Sequence, residues 1–276
     1  MSTNMIRPRD GREAIAVTPA AMGWAHLGFR VVRLAPGEAI DVDTAGVETA
    51  VVGMAGAGVA TVDGTEHALS RHGVFEEAGG LLYVAPGAAT RLRAESAWTV
   101  ALGTAPADGR YPTRMVPADA VRAEIRGGGT ARRQVNHLLA PPLEAERLIV
   151  FEVFVPAGSW AGWPPHRHDG EEGSPYLEET YLFRFDRPGG FGFHRNYSGD
   201  GAYDETFAVG DMECVAVPRG FHVTTAAPGH NMWILNFLAG TPVGDERARP
   251  PHFDPATTWI ADGWSKAPID LPVRAR

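Results

Sequence analysis

Glycine and proline interrupt this chain so often that long helices have no room, and the residues between them favour strands. Of 276 residues, 33 are Gly and 22 are Pro, an excess that points to many turns and short elements. Phe29-Arg30-Val31-Val32-Arg33-Leu34 runs into the turn pair Pro36-Gly37. Thr49 to Met54 and Gly58 to Val62 are β-branched, glycine-bounded runs, and Asp63-Gly64 is a hairpin turn. Leu81 to Val84 and Trp98 to Leu102 continue the pattern, while Pro117 to Glu124 reads as one short helix. An all-β fold is expected.

The two halves share a signature. Tyr83-Val84-Ala85-Pro86-Gly87-Ala88-Ala89-Thr90 is similar to Val215-Ala216-Val217-Pro218-Arg219-Gly220-Phe221-His222, and a Trp-bearing strand follows each, Trp98 to Leu102 or Trp233 to Leu238. Proline to tryptophan spans 12 residues in one copy and 15 in the other, so a loop insertion separates them. The glycines of Arg126-Gly127-Gly128-Gly129-Thr130 read as a flexible connection. Two tandem jelly-roll barrels are therefore expected, residues 1–126 and 127–276.

Composition narrows the function. With 44% hydrophobic and 21% charged residues the chain is ordinary for a soluble globular protein. A formal net charge of -8 argues against nucleic acid and against anionic membrane surfaces as partners. The single cysteine, Cys214, lies in an apolar run and reads as a packed thiol, with no intrachain disulfide to form. Met1 to Pro8 has no apolar secretory segment, and the longest uncharged stretch, Thr49 to Val62, is 14 residues broken by glycines, too short to span a membrane. A cytoplasmic enzyme is the expectation.

The chemistry concentrates in the second half. Pro164-Pro165-His166-Arg167-His168 places two imidazoles on one face of a strand, because side chains alternate with period two. Glu178-Glu179 precedes the strand-forming Tyr181-Leu182-Phe183, and His222 follows a Pro-x-Gly turn. His166, His168, Glu179 and His222 are the expected ligands of one divalent ion, zinc first, with manganese, iron or nickel as alternatives. Glu178 then falls on the opposite face, as a carboxylate at the surface or just behind the site, and is counted among the catalytic candidates. His194, Arg195 and Tyr197 form the next tier of catalytic candidates. His194 shares a face with Gly190 and Gly192, and Arg195 and Tyr197 share the other, so only one set faces the cavity. His194 has the chemistry of a general base, and Arg195, in competition with Arg184 and Arg219, that of a carboxylate binder. In the first half Thr90 stands where the second has His222, and no His-x-His precedes the glycine run. That barrel is expected to hold no metal and to act structurally.

These residues resemble the 5-deoxy-glucuronate isomerase family of bacterial inositol catabolism. The resemblance rests on Gly127-Gly128-Gly129 with Arg133-Gln134-Val135-Asn136, Ala145-Glu146-Arg147-Leu148, Pro164 to Asp169, and Leu177-Glu178-Glu179-Thr180-Tyr181. It continues through Gly190-Phe191-Gly192-Phe193, Asp204-Glu205, Gly210-Asp211, Pro218 to His222 and Ala226-Ala227-Pro228-Gly229. His194 and Asn196 depart from the expected pattern. The resemblance implies a bicupin fold, a metal-dependent aldose–ketose isomerisation, and a small deoxyuronic acid as substrate. The reaction implied is 5-deoxy-D-glucuronate to 5-dehydro-2-deoxy-D-gluconate in myo-inositol degradation, and a homo-oligomer is compatible with it. An iron-dependent dioxygenase and a non-catalytic sugar-acid-binding cupin use the same ligand pattern and stand as alternatives.

Overall fold

The two β-branched runs at Thr49 to Met54 and Gly58 to Val62 are one continuous strand, Val47–Val62. The computed structural model of the chain describes residues 4–264. The first part of this strand pairs with Leu81–Val84 and Trp98–Pro106, and its last part with Thr65–Arg71 and Thr90–Ala94. A register shift between Gly53 and Ala55 separates the two parts. Such an irregularity bends a strand, and here it lets one strand serve both sides of a curled sheet.

Two facing antiparallel sheets build the second half. The larger runs in the order Met5–Ile6, Cys214–Val217, Leu177–Phe185, Met232–Gly240, Ile149–Val155, Arg133–Leu139, Arg122–Arg126. The smaller runs Asp204–Gly210, Phe191–Tyr197, Phe221–Ala226, Trp160–Arg167, His252–Phe253. The fold is the all-β cupin type, two curled double sheets in tandem.

Two local expectations are corrected. Pro117 to Glu124 is not a helix: a single 3-10 turn, Ala118–Ala120, leads into the strand Arg122–Arg126. The glycine run is not a slack connection. It lies inside the hairpin that joins Arg122–Arg126 to Arg133–Leu139, so a cut at 126/127 splits a paired unit. Met5–Ile6 likewise pairs with Cys214–Val217, so both ends of the first half reach into the sheet of the second.

The core is layered. All nine residues of Met232–Gly240 are buried, because both faces of that strand are covered. Trp233, Leu235 and Phe237 pack against Phe29, Ala50 and Leu81 of the first half. Met232 and Ile234 turn into the second barrel. The rings of Phe29 and Phe237 lie 5.2 Å apart. A Cβ on Gly103 would sit 2.0 Å from the Phe237 ring, so only glycine fits beneath it. Burying a side chain like Phe237 contributes roughly 1.5–3 kcal/mol. Cys214 is a buried thiol in this layer, and burial pushes its pKa up.

Buried carboxylates tie the halves together. Glu48 accepts the backbone N–H groups of Glu146, Arg147 and Leu148, and the Tyr83 hydroxyl donates to it at 2.8 Å. Glu146 in return accepts the N–H groups of Asp108, Gly109 and Arg110. A carboxylate buried without such donors would cost far more than it contributes, and each of these is well supplied.

Candidate metal centre and its cavity

A bulge sets up the histidines. Trp160–Arg167 pairs with Phe221–Ala226 as Ala161 opposite Thr224, then resumes with His166 opposite His222. The intervening Gly162 has φ of 66°, in the left-handed region that favours glycine. The re-aimed strand brings the rings of His166 and His222 to 4.4 Å between centroids. His168, two residues on, lies 5.0 Å from His222 and 6.0 Å from His166. The ligand atoms of the three imidazoles fall within 4.8 Å of one another. Glu179 arrives from the facing sheet, its Oε2 at 2.9 Å from His168 Nε2 and 3.2 Å from His222 Nε2.

The electrostatics favour a cation at this point. His168 Nδ1–H donates to the Leu177 carbonyl at 2.8 Å, which turns Nε2 towards the cluster and Glu179. Burial works against a charge on His168, yet the adjoining Glu179 carboxylate holds its pKa above the ordinary value. Burial likewise opposes ionisation of Glu179, but His168 and His222 hold its carboxyl far below the usual range. His166 is pushed well below the ordinary histidine value by burial, then by its two neighbouring imidazoles. Neither ring nitrogen of His222 makes a hydrogen bond among the described residues, although Glu179 Oε2 stands 3.2 Å from Nε2. Donors about 2.1 Å from one ion stand roughly 3.0–4.2 Å apart, close to the spacing seen here. The three imidazoles could thus hold a borderline divalent ion, with the Glu179 carboxylate beside two of them.

The next tier does not assemble as expected. His194 is fully buried and stacks on His222 at 6.3 Å and 14° between planes. Its Nε2 meets Asn196 Oδ1 at 2.9 Å, and burial, then the charge of His222, takes its pKa down to about 3. It backs His222 instead of lining the cavity, which corrects its reading as a general base. Strand alternation sends Arg195 and Tyr197 to the outer face. Arg195 forms a two-pronged pair with Asp204 at 2.8 and 2.6 Å, and the Tyr197 hydroxyl donates to Asp254 at 2.5 Å. Neither lines the cavity beside the histidines; both line a separate groove with Trp160 and Trp163. Arg184 pairs with Asp211, and Arg219 lies over the Tyr203 ring, both also outside that cavity. Glu178 is corrected as well. It does turn away from Glu179, but its face meets the first half, where it accepts the N–H groups of Ala25, His26 and Leu27 at 2.7, 2.9 and 2.7 Å.

A cavity of about 100 Å³ adjoins the cluster, lined by His166, Glu179, Tyr181, Asn236, Arg126 and Arg133. Burial and then the charge of Glu179 hold the Tyr181 hydroxyl protonated by raising its pKa far above the ordinary value. Half-buried Arg133 uses Nη1 to donate to the Ala131 and Trp163 carbonyls at 3.0 and 3.3 Å. Tyr181, Asn236 and Arg133 were missed in the sequence. Counting by two marks Tyr181 from Glu179, but Asn236 and Arg133 need the facing sheets to be known.

Fold and cluster together define a cupin-type protein of two barrels with a metal-competent centre in the second. The KduI/IolB family model matches residues 4–260, and the chain belongs to that family. It is 35% identical over 260 residues to a protein of Geobacillus kaustophilus named 5-deoxy-glucuronate isomerase, covering 92% of this chain and 93% of the relative. A Bacillus subtilis protein of the same name is 31% identical, covering 89% and 92%. An IolB-like protein from Salmonella typhimurium, solved by crystallography, superposes with a TM-score of 0.89 at 29% identity, covering 94% of this chain and 100% of that one. Bacillus subtilis oxalate decarboxylase, described with Mn(II) centres, superposes at 0.60 with 12% identity over 87% of this chain and 78% of its own, a likeness of fold alone. No helix among the described residues is long and apolar enough to cross a membrane.

Proposed function

We propose that this chain is a 5-deoxy-glucuronate isomerase, converting 5-deoxy-D-glucuronate to 5-dehydro-2-deoxy-D-gluconate. The observation that carries the reading is the cluster of His166, His168 and His222 with Glu179 against it, beside a small cavity, in a chain that matches relatives of that name over about nine-tenths of its length. The reaction moves the hydrogen on C2 to C1 and the proton of the C2 hydroxyl to the C1 oxygen. Nothing else is gained or lost, so neither oxygen nor an organic cofactor is consumed. Negative charge builds on two neighbouring oxygens along the way.

Held by His166, His168, Glu179 and His222, a divalent ion would supply Lewis-acid stabilisation of that charge. We assign zinc, with manganese, iron or nickel accepted by the same donors. Tyr181 keeps its proton and donates a hydrogen bond to a substrate oxygen, and Asn236 offers an amide on the same wall. Val135, Val153 and Ile234 keep the far wall apolar and restrict water. His194 positions His222 by stacking on it.

Purified protein given 5-deoxy-D-glucuronate should form the ketose by NMR with no oxygen uptake. Oxygen consumed in proportion to substrate would replace this reading with a dioxygenase, and binding without turnover with a non-catalytic cupin. Reaction in deuterated water adds the route: solvent deuterium in product reports proton transfer through a protein base, and its absence fits a hydride shift or a shielded base.

A further inference from the structure

An isomerase of a deoxyuronic acid must distinguish a carboxylate from the neutral end of an ordinary sugar, and one side chain is placed to do so. Arg133 lines the cavity beside His166 and Glu179, and also lines the larger groove outside, a space of about 530 Å³ that includes Arg132. It is the residue that lines both spaces. Among the described residues no carboxylate oxygen lies within 4.0 Å of its guanidinium, whereas Arg126, the other cavity arginine, is paired with Glu124. Nη1 of Arg133 is occupied by the two carbonyls already described. Its Nε and Nη2 edge has no hydrogen-bond partner among the described residues. That edge is the planar fork which matches a carboxylate with two parallel bonds.

We propose that Arg133 is the specificity-determining residue of this site, gripping the substrate carboxylate through its Nε and Nη2 edge while the aldehyde end lies at the histidine cluster. The carbonyls of Ala131 and Trp163 hold the guanidinium plane in place. An anchor fixed before binding costs little ordering when substrate arrives. Lysine at this position keeps the charge and loses the fork. This assignment rests on the isomerase reading, and its test separates the two.

The experiment compares 5-deoxy-D-glucuronate with its uncharged C6 amide on the wild-type protein, R133Q and R133K, with metal content and melting temperature measured on each. Wild type should favour the acid by about 100-fold in kcat/KM, the scale of losing one partner of a buried charge pair. R133Q should lose about 100-fold on the acid, mostly in KM, and stay within about threefold on the amide. R133K should fall between, with metal content unchanged throughout. An equal loss on acid and amide, or no loss on the acid, would overturn the proposal. So would a wild-type protein that uses the amide as well as the acid, an outcome needing no variant. If wild type turns over neither compound, the isomerase reading fails by itself. Calorimetric titration of acid and amide into wild type and R133Q then decides the anchor alone: binding of acid lost only in R133Q upholds it, and equal binding by both proteins sinks it.

Discussion

The two barrels curl antiparallel sheets around interiors of opposite character. In the first, Leu82, Leu92, Trp98 and Val100 fill the centre with apolar side chains. In the second, Phe183, Val215 and Ile234 share the centre with His166, Glu179, His222 and Asn236. A few inward positions on a common scaffold separate a packed core from a site. Thr90 and His222 make the contrast locally. The Thr90 hydroxyl is buried and donates to the Ala88 carbonyl at 2.9 Å, whereas His222 offers bare ring nitrogens to a cluster. The first barrel still has work, because it covers the outer face of the catalytic sheet through Phe29 and Leu81.

The largest expected effect comes from emptying the second interior. His166→Ala with His168→Ala should remove bound metal and lower kcat/KM by roughly a thousandfold or more, since Lewis-acid stabilisation is worth several kcal/mol. Metal content by elemental analysis checks it, and an unchanged content would show the ligands to be elsewhere.

A middle-sized effect is expected between the barrels. Backbone N–H groups of Arg110, Asp108 and Gly109 outweigh burial and hold the Glu146 carboxyl below its ordinary pKa. A depressed folded value means that the stabilisation is present above the unfolded pKa, about 4.3, and is lost as pH falls through the folded one. Glu146→Gln should therefore cost about 1.5–3 kcal/mol at pH 7, and the gap to wild type should narrow as pH drops below about 4. Urea unfolding at several pH values measures this; a gap independent of pH would mean that the charge of Glu146 does not carry the tie.

The smallest effect belongs to the first interior. Thr90→Ala removes one buried hydrogen bond, worth about 1 kcal/mol of stability, and should leave metal content and kcat/KM within about twofold. A loss of metal in that variant would erase the distinction between the barrels.

Much of this contrast was legible in the sequence, and the gaps have physical causes. Strand period places His166 with His168 and sets Glu178 against Glu179, because alternation is local. What lies across from a face is not local. Glu178 turns away from the site as alternation requires, but nothing nearby in sequence says that Ala25 to Leu27 waits there with three N–H groups. Arg195 looked like a carboxylate binder until Asp204, across a hairpin, took its fork. The repeat misleads in a similar way. Trp98 points into the first barrel and Trp233 into the layer between barrels, with its Nε1–H donating to Glu152 at 3.0 Å. A one-residue offset exchanges the two faces of a strand, so matched letters need not share a side.

The central claim is that the second barrel alone holds the metal, through His166, His168, Glu179 and His222. Anomalous diffraction from crystals of the freshly purified protein locates the ion directly. A peak about 2.0–2.3 Å from three imidazole nitrogens and the Glu179 carboxylate is the predicted result. Metal present in the protein with its peak elsewhere, above all in the first barrel, would contradict the account.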